Sequence, residues 1–238
     1  MKNWMAIVVA VISASAAAHA GQATPVMTPQ YASVPATNPQ TIPLSEAIQK
    51  GVRAYRLGDF PTATALLTAG AEAGEAKAQR YLGYMMIEDE TASVENLLGG
   101  VQLLKQAARA GDYAALIRLE DLRRKGLAHS PTLDDMIEIE TVRAESGDPV
   151  AAWRLAERYE LGDGVVASEV DMVRWLEITA EAEIARFPKA DEAAFRLCET
   201  FALGENTQNP DRARHWCAKA ADHGHAGAAI VLRRLASL

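Results

Sequence analysis

The sequence predicts an all-α protein, an α/α solenoid of about five helix pairs, on three observations. An alanine followed four residues later by a leucine recurs at Ala78/Leu82, Ala115/Leu119, Ala151/Leu155, Ala193/Leu197 and Ala228/Leu232, at intervals of 37, 36, 42 and 35 residues. A glycine stands four residues before most of these alanines, at Gly74, Gly111, Gly147 and Gly224. No Val/Ile/Thr-rich alternating run interrupts the helical periodicity, so no strand is expected. Self-similarity at this period marks a repeat architecture, in which each unit buries its apolar face only against its neighbours.

The chain starts outside the repeat. Lys2 supplies a positive charge, residues 4–12 are apolar, and residues 13–20 are small and end in Ala18-His19-Ala20. This pattern predicts a signal peptide cleaved before Gly21, because the apolar run is about half of the roughly 20 residues a bilayer span requires. No cysteine follows to carry a lipid anchor. Residues 21–43 hold prolines at 25, 29, 35, 39 and 43. That density blocks helix and sheet pairing and leaves little apolar surface to bury, so a disordered or extended tether is expected. The solenoid is then expected over 44–238, with no later membrane-spanning segment. The net charge of −7 disfavours non-specific nucleic-acid binding.

Within the solenoid an earlier unit fits at Ala47/Gly51. Eight residues past the anchor alanines stand Tyr55, Met86, Arg123, Tyr159 and Phe201. Gly58, Gly126, Gly162 and Gly204 follow where a left-handed helix cap is wanted. The second helices align on a large residue, Leu66, Leu103, Ile139, Trp175 or Trp216. A small pair follows: Gly70-Ala71, Ala107-Ala108, Arg143-Ala144, Thr179-Ala180 and Ala220-Ala221. Small residues let neighbouring helices approach while the large residue plugs the gap between them. Thr132 with Asp134-Asp135, and Pro210-Asp211, read as helix starts. The fourth unit lacks its closing glycine and carries extra residues, roughly 181–190, which predicts a lengthened turn. Residues 226–238 hold only a first helix and should cap the stack.

The run Ala151-Ala-Trp-Arg-Leu155-Ala-Glu-Arg-Tyr159-Glu-Leu-Gly162-Asp-Gly164-Val165 resembles the opening of a Sel-1-like repeat. The run Asp211-x-Ala213-x-x-Trp216-x-x-Lys219-Ala220-Ala221-x-x-Gly224 resembles its second half. The likeness covers 45–238 and is closest in units four and five. Unit one also reads as tetratricopeptide-like, from Gly51 through Tyr55 and Gly58-Asp59-Phe60 to Ala63. Units two and three depart from the pattern: Glu88-Asp-Glu-Thr and Lys125-Gly-Leu-Ala replace the Gly-x-Gly turn. The resemblance implies a right-handed superhelix of helix pairs that binds partner proteins. For an exported member it implies a periplasmic or secreted scaffold or adaptor, with docking onto a membrane sensor kinase as a second reading.

Cys198 and Cys217 each follow a core-facing residue, Leu197 and Trp216, and lie at equal heights on the two helices of unit five. In an exported protein this predicts a disulfide, the alternative being two buried thiols acting as small hydrophobes. Secreted relatives bridge the two helices of a repeat from other register positions. His215, His223 and His225 lack a converging spacing, so no metal site is expected. No cofactor motif, nucleophile elbow or phosphate loop occurs, so a cell-wall hydrolase is the rival reading and not the leading one. One register stands out. Three residues past the anchor alanines come Lys50, Tyr81, Arg118, Arg154, Arg196 and Val231, so four of the five full units place a cation at one register, a cationic column in an acidic chain. On the inner wall of a solenoid it would bind another envelope protein or an acidic peptide to a monomeric scaffold. The alternative is a solvated face with each cation paired to a nearby acid. Lys105 and Lys219, on second helices, are expected to face outward.

Overall fold

A computed structural model describes residues 42–127 and 129–236. The predicted signal peptide and all but the last two residues of the predicted tether lie outside the described residues. The described residues form eleven helices and no strand. Unit one is α1 (Leu44–Arg56) and α2 (Phe60–Glu72), and unit two is α3 (Ala76–Glu88) and α4 (Val94–Arg109). Unit three is α5 (Tyr113–Lys125) and α6 (Leu133–Glu145); unit four is α7 (Pro149–Leu161) and α8 (Glu169–Ala180). Unit five is α9 (Lys189–Leu203) and α10 (Pro210–Asp222), followed by α11 (Ala226–Leu235). Apart from α5 and α6, successive helices pack on one another, so the chain is an α/α solenoid.

The periodic residues are what hold it. All six anchor alanines, Ala47 to Ala228, are buried, and Leu82, Leu119, Leu155 and Leu197 are fully so. The large second-helix residues Leu103, Ile139, Trp175 and Trp216 are buried as well. In unit one the neighbouring Leu67 takes the buried place and Leu66 is half-exposed. Seven helices start with a side-chain cap, from Asp59, Ser93, Asp112, Thr132, Asp148, Ser168 and Asn209, each accepting from backbone N–H groups of the first turn. Thr132 and Asp135 form a reciprocal capping box. In unit two Gly83 and Gly100 face each other. A Cβ on either would lie about 3 Å from the other's carbonyl oxygen.

Two departures from the sequence reading concern unit five and the second helices. Gly58, Gly126 and Gly162 adopt positive φ as caps, but Gly204 is extended, with φ −62° and ψ 147°. The chain after α9 runs in a longer turn instead. There the Thr207 hydroxyl and the Asn206 N–H donate to the Glu169 carboxylate, and the Asn209 N–H donates to the Phe201 carbonyl. Lys105 does not face outward. It is buried, with its ammonium on Asp135 of the next unit, and Lys219 is half-buried against Glu181. Both stems lie between successive second helices, where a long apolar chain can pack while its charge is met across the repeat boundary.

Candidate functional site

The five units share a plan, and unit three breaks it. In units one, two, four and five the two helices of the pair pack closely; α5 and α6 come into almost no close backbone approach. Three registers explain this. One position past the large second-helix residue stand Leu67, Leu104, Leu176 and Cys217, all fully buried, whereas α6 has Glu140. At the first small position stand Gly70, Ala107, Thr179 and Ala220, whereas α6 has Arg143. At the eighth position past the anchor stand Tyr55, Met86, Tyr159 and Phe201, whereas α5 has Arg123, which is exposed. Unit three therefore carries charge on three registers that seal the other units.

A buried carboxylate is costly unless paired and hydrogen-bonded. Glu140 is only 2 % exposed. Its partners come from α7. Arg158 donates from Nε at 2.6 Å and from Nη2 at 3.2 Å, and the Arg154 guanidinium lies 3.8 Å away. Arg158 also donates to Asp163, and Arg154 to Glu120 of α5. A chain of alternating charge, Glu120–Arg154–Glu140–Arg158–Asp163, thus links α5, α6 and α7. Burial works against both guanidinium charges, but hydrogen bonds from Arg154 to Glu120 and from Arg158 to Glu140 outweigh it. Both arginines are held above the ordinary arginine pKa. Arg143 reaches the same helix, its Nε donating at 2.8 Å to Asp148, the cap of α7. These pairs tie α6 to α7, while α6 also packs on α4 and its Met136 and Ile139 share a buried cluster with Leu116, Leu119 and Leu122 of α5.

Beside these helices lies a groove of about 1240 Å³ running across units two to four. Tyr84 of α3 and Ala114, Ile117, Arg118 and Arg123 of α5 line one side. Met136 and Glu140 of α6 form its floor, and Arg154, Glu157, Arg158 and Leu161 of α7 line the far side. The first helices of successive units therefore make its walls.

The predicted cationic column lies along these first helices, and each of its cations meets an acid. Lys50 pairs with Glu46 of its own helix at 2.8 Å. Arg118 lies 3.5 Å from Glu88 and 3.4 Å from Asp121. Arg154 pairs with Glu120, and Arg196 with Glu160 at 2.6 Å. Tyr81, the fifth member, is buried, edge-on to Tyr55 with ring centroids 5.0 Å apart. Three of these acids belong to the preceding unit's first helix, so the column is a ladder of ion pairs between repeats rather than an open basic track. A second ladder joins the second helices through Lys105–Asp135, Arg109–Glu138, Glu145–Arg174, Glu177–Arg212 and Glu181–Lys219. Arg118 is the loosest member of the inner ladder: both its pairs are long, and its buried Nε has no hydrogen-bond partner.

Cys198 and Cys217 are joined as a disulfide across α9 and α10, with Cα atoms 4.7 Å apart and both side chains fully buried. The three histidines separate. His215 sits edge-on to Trp216, His223 lies 3.8 Å from Asp191, and His225 stacks on Phe195. Among the described residues no three His, Cys, Asp or Glu side chains converge as a metal-binding group. Glu140, Arg158 and Ile117 escaped the sequence reading. The signal was present at Arg123 and Arg143, charged residues on registers filled elsewhere by aromatic, Met or small ones.

Residues 76–112, 149–182 and 191–225 each match the family model described as Sel1 repeat. These are units two, four and five; unit two matches despite its altered turn, and unit one is not among the matched stretches. A crystal structure of a Sel1 repeat protein from Oxalobacter formigenes is similar at 22 % identity over 78 % of this chain and 75 % of that one, with a TM-score of 0.43. Another is c5321, a protective antigen present in uropathogenic Escherichia coli strains and displaying an SLR fold. It is 22 % identical over 80 % of this chain and 40 % of its own, with a TM-score of 0.45. No curated protein matches significantly.

Proposed function

The chain carries three Sel1 repeats, and on that premise we propose that it is a periplasmic or secreted scaffold that docks a segment of a partner protein in the groove of units two to four. Sel1 repeats mediate protein–protein interaction, and the open third unit supplies the place. The observation that carries the reading is the groove itself. A solenoid sealed at every unit would present a continuous wall, whereas charged residues on three core registers keep this one open between α5 and α7. Its volume exceeds the roughly 300–1,000 Å³ of small-molecule sites, and its apolar shelf of Tyr84, Ala114 and Ile117 beside guanidinium groups suits a peptide segment.

Within the predicted column we assign Arg118 to the partner, and Lys50, Tyr81, Arg154 and Arg196 to holding the wall. Export rests on the N-terminal sequence pattern together with a fully buried disulfide, the kind of bond that persists in an oxidising compartment. Among the described residues no helix is long and apolar enough to cross a membrane. Docking on a membrane sensor kinase is compatible with this groove.

The test fills the groove. Ala114→Trp with Ile117→Trp, both at exposed positions lining it, should abolish capture of the partner from envelope extract while helicity and melting temperature stay unchanged. Capture equal to that by the natural protein would reject the groove as the docking site. Intact-mass analysis of the exported protein should show Gly21 as its first residue.

A further inference from the structure

Charge along the inner wall is divided. By formal charge α1 holds Lys50, Arg53 and Arg56 with Glu46, and α3 holds Lys77 and Arg80 with Glu88, Arg80 being paired to Asp112 at the start of α5. In α5, Arg118, Arg123, Arg124 and Lys125 stand against Glu120 and Asp121. The first helices of units one to three thus carry +2, +1 and +2, in a chain whose net charge is −7. Those of units four and five carry 0 and −1, counting Arg154 and Arg158 against Glu157 and Glu160, then Lys189 and Arg196 against Asp191, Glu192 and Glu199. The first helices of units one to three are net cationic and those of units four and five are not.

The groove shows the same division at the level of single groups. Glu120, Asp121, Glu140 and Asp163 are each engaged by an arginine, and Glu140 is out of reach of solvent. Of its carboxylates only Glu157, on α7, lacks an ion pair among the described residues. On α5, Arg123 is exposed without an ion pair among the described residues. Arg118 holds its two acids at 3.4 and 3.5 Å, beyond the 2.7–2.9 Å of a strong charge-assisted bond. The cations with spare capacity lie on one side of the groove, beside Ile117, which is half exposed, and Tyr84.

We propose that the docked segment is acidic: an extended peptide stretch bearing Asp or Glu among apolar residues lies against α5, its carboxylates taken by Arg118 and Arg123 and its apolar side chains by Ile117 and Tyr84. This rests on the groove being the docking site. A carboxylate arriving at Arg118 replaces long contacts with short ones, so a cation already partly desolvated by its surroundings gains a partner. A basic segment would find Glu157, the groove acid without an ion pair among the described residues, on the opposite wall.

Fluorescence anisotropy with three labelled dodecapeptides, alternating Glu–Leu, Gln–Leu and Lys–Leu, tests the assignment on the full exported protein. The Glu–Leu peptide should bind, and more weakly as salt is raised from 50 to 300 mM. Arg118→Gln and Arg123→Gln should each weaken it about tenfold or more. Arg214→Gln, at an exposed pair on α10, should leave it unchanged. Melting curves keep loss of fold separate from loss of charge; Arg123, exposed and unpaired, is the variant least able to disturb folding. Equal affinity for the Gln–Leu peptide, preference for the Lys–Leu peptide, no binding of the Glu–Leu peptide, or natural affinity in Arg123→Gln would each overturn the proposal. So would arginine-dependent binding to vesicles of anionic lipid without binding of the Glu–Leu peptide. If these fail while the double Trp variant still loses its partner from extract, the groove stands as the docking site and only its acidic specificity falls.

Discussion

Units three and five are cut to the same pattern and close in opposite ways. In unit five every core register is apolar or small: Phe201 lies past the anchor, Trp216 and Cys217 fill the second helix, and Ala220 lets the helices meet. A disulfide then fastens Cys198 to Cys217 at the centre of the hairpin. In unit three the equivalent registers hold Arg123, Glu140 and Arg143, and the helix pair parts. The same backbone plan is thus a rigid end in one place and an open groove in another, and the difference comes from a few side chains. Charge at a core register does not unfold the unit, because the next first helix delivers Arg154, Arg158 and Asp148 to meet it. The repeat tolerates the break because each unit packs only on its neighbours, so a local opening stays local.

The largest effect expected from disturbing this comparison is the loss of Arg158. Arg158→Ala leaves Glu140 buried with only the 3.8 Å approach of Arg154, and should cost about 3–5 kcal/mol. Urea unfolding should show the midpoint fall accordingly, and an unchanged midpoint would mean that Glu140 finds water or another partner. On the unit-five side, Cys198→Ser with Cys217→Ser removes a cross-link between positions 19 residues apart, worth about 3 kcal/mol by chain entropy. The loss should be seen against oxidised natural protein and disappear when both are compared in reductant.

Third comes the reverse experiment. Glu140→Leu with Arg158→Leu gives α6 the residue type its register carries elsewhere, and should leave stability unchanged or raise it by about 1–3 kcal/mol while weakening partner capture. Gain of stability with full capture would separate the buried ion pair from the groove. The smallest effect concerns the outer ladder. Burial opposes the charge of Asp135, but hydrogen bonds from Lys105 and Thr132 outweigh it and hold its pKa below the usual carboxylate value. A carboxylate depressed in the folded state stabilises above its unfolded pKa, near 4, and that contribution is lost as pH falls through the folded value. Asp135→Asn should therefore cost about 1 kcal/mol at pH 7, with the difference from natural protein vanishing in acid.

Much of the solenoid is legible in the sequence because its periodic residues obey local rules. Ala151, Leu155 and Gly162 place a first helix and its end; Trp216 with Ala220 places a second. The exception at Gly204 has a tertiary cause, since Glu169 of the preceding unit holds the turn that follows it. Reach across units is what periodicity does not show. Arg154 and Arg196 stand out as a column from spacing alone, but Glu120 and Glu160 are brought beside them only by the stacking of one unit on the next. Lys105 reads as a surface lysine for the same reason. The groove lies between these cases. Arg123 and Arg143 mark unit three as irregular, while Glu140 looks like any helical carboxylate until its register is compared with Leu67, Leu104, Leu176 and Cys217.

Hydrogen exchange by mass spectrometry, comparing residues 113–145 with residues 189–222, tests the central claim most directly. If charge on the core registers holds unit three open, amides of α5 and α6 should exchange through openings of lower free energy than those of α9 and α10. Glu140→Leu with Arg158→Leu should slow exchange in α5 and α6 and leave α9 and α10 as they were. Equal protection of the two units in the natural protein, or exchange in α5 and α6 that the double variant does not slow, would contradict the account.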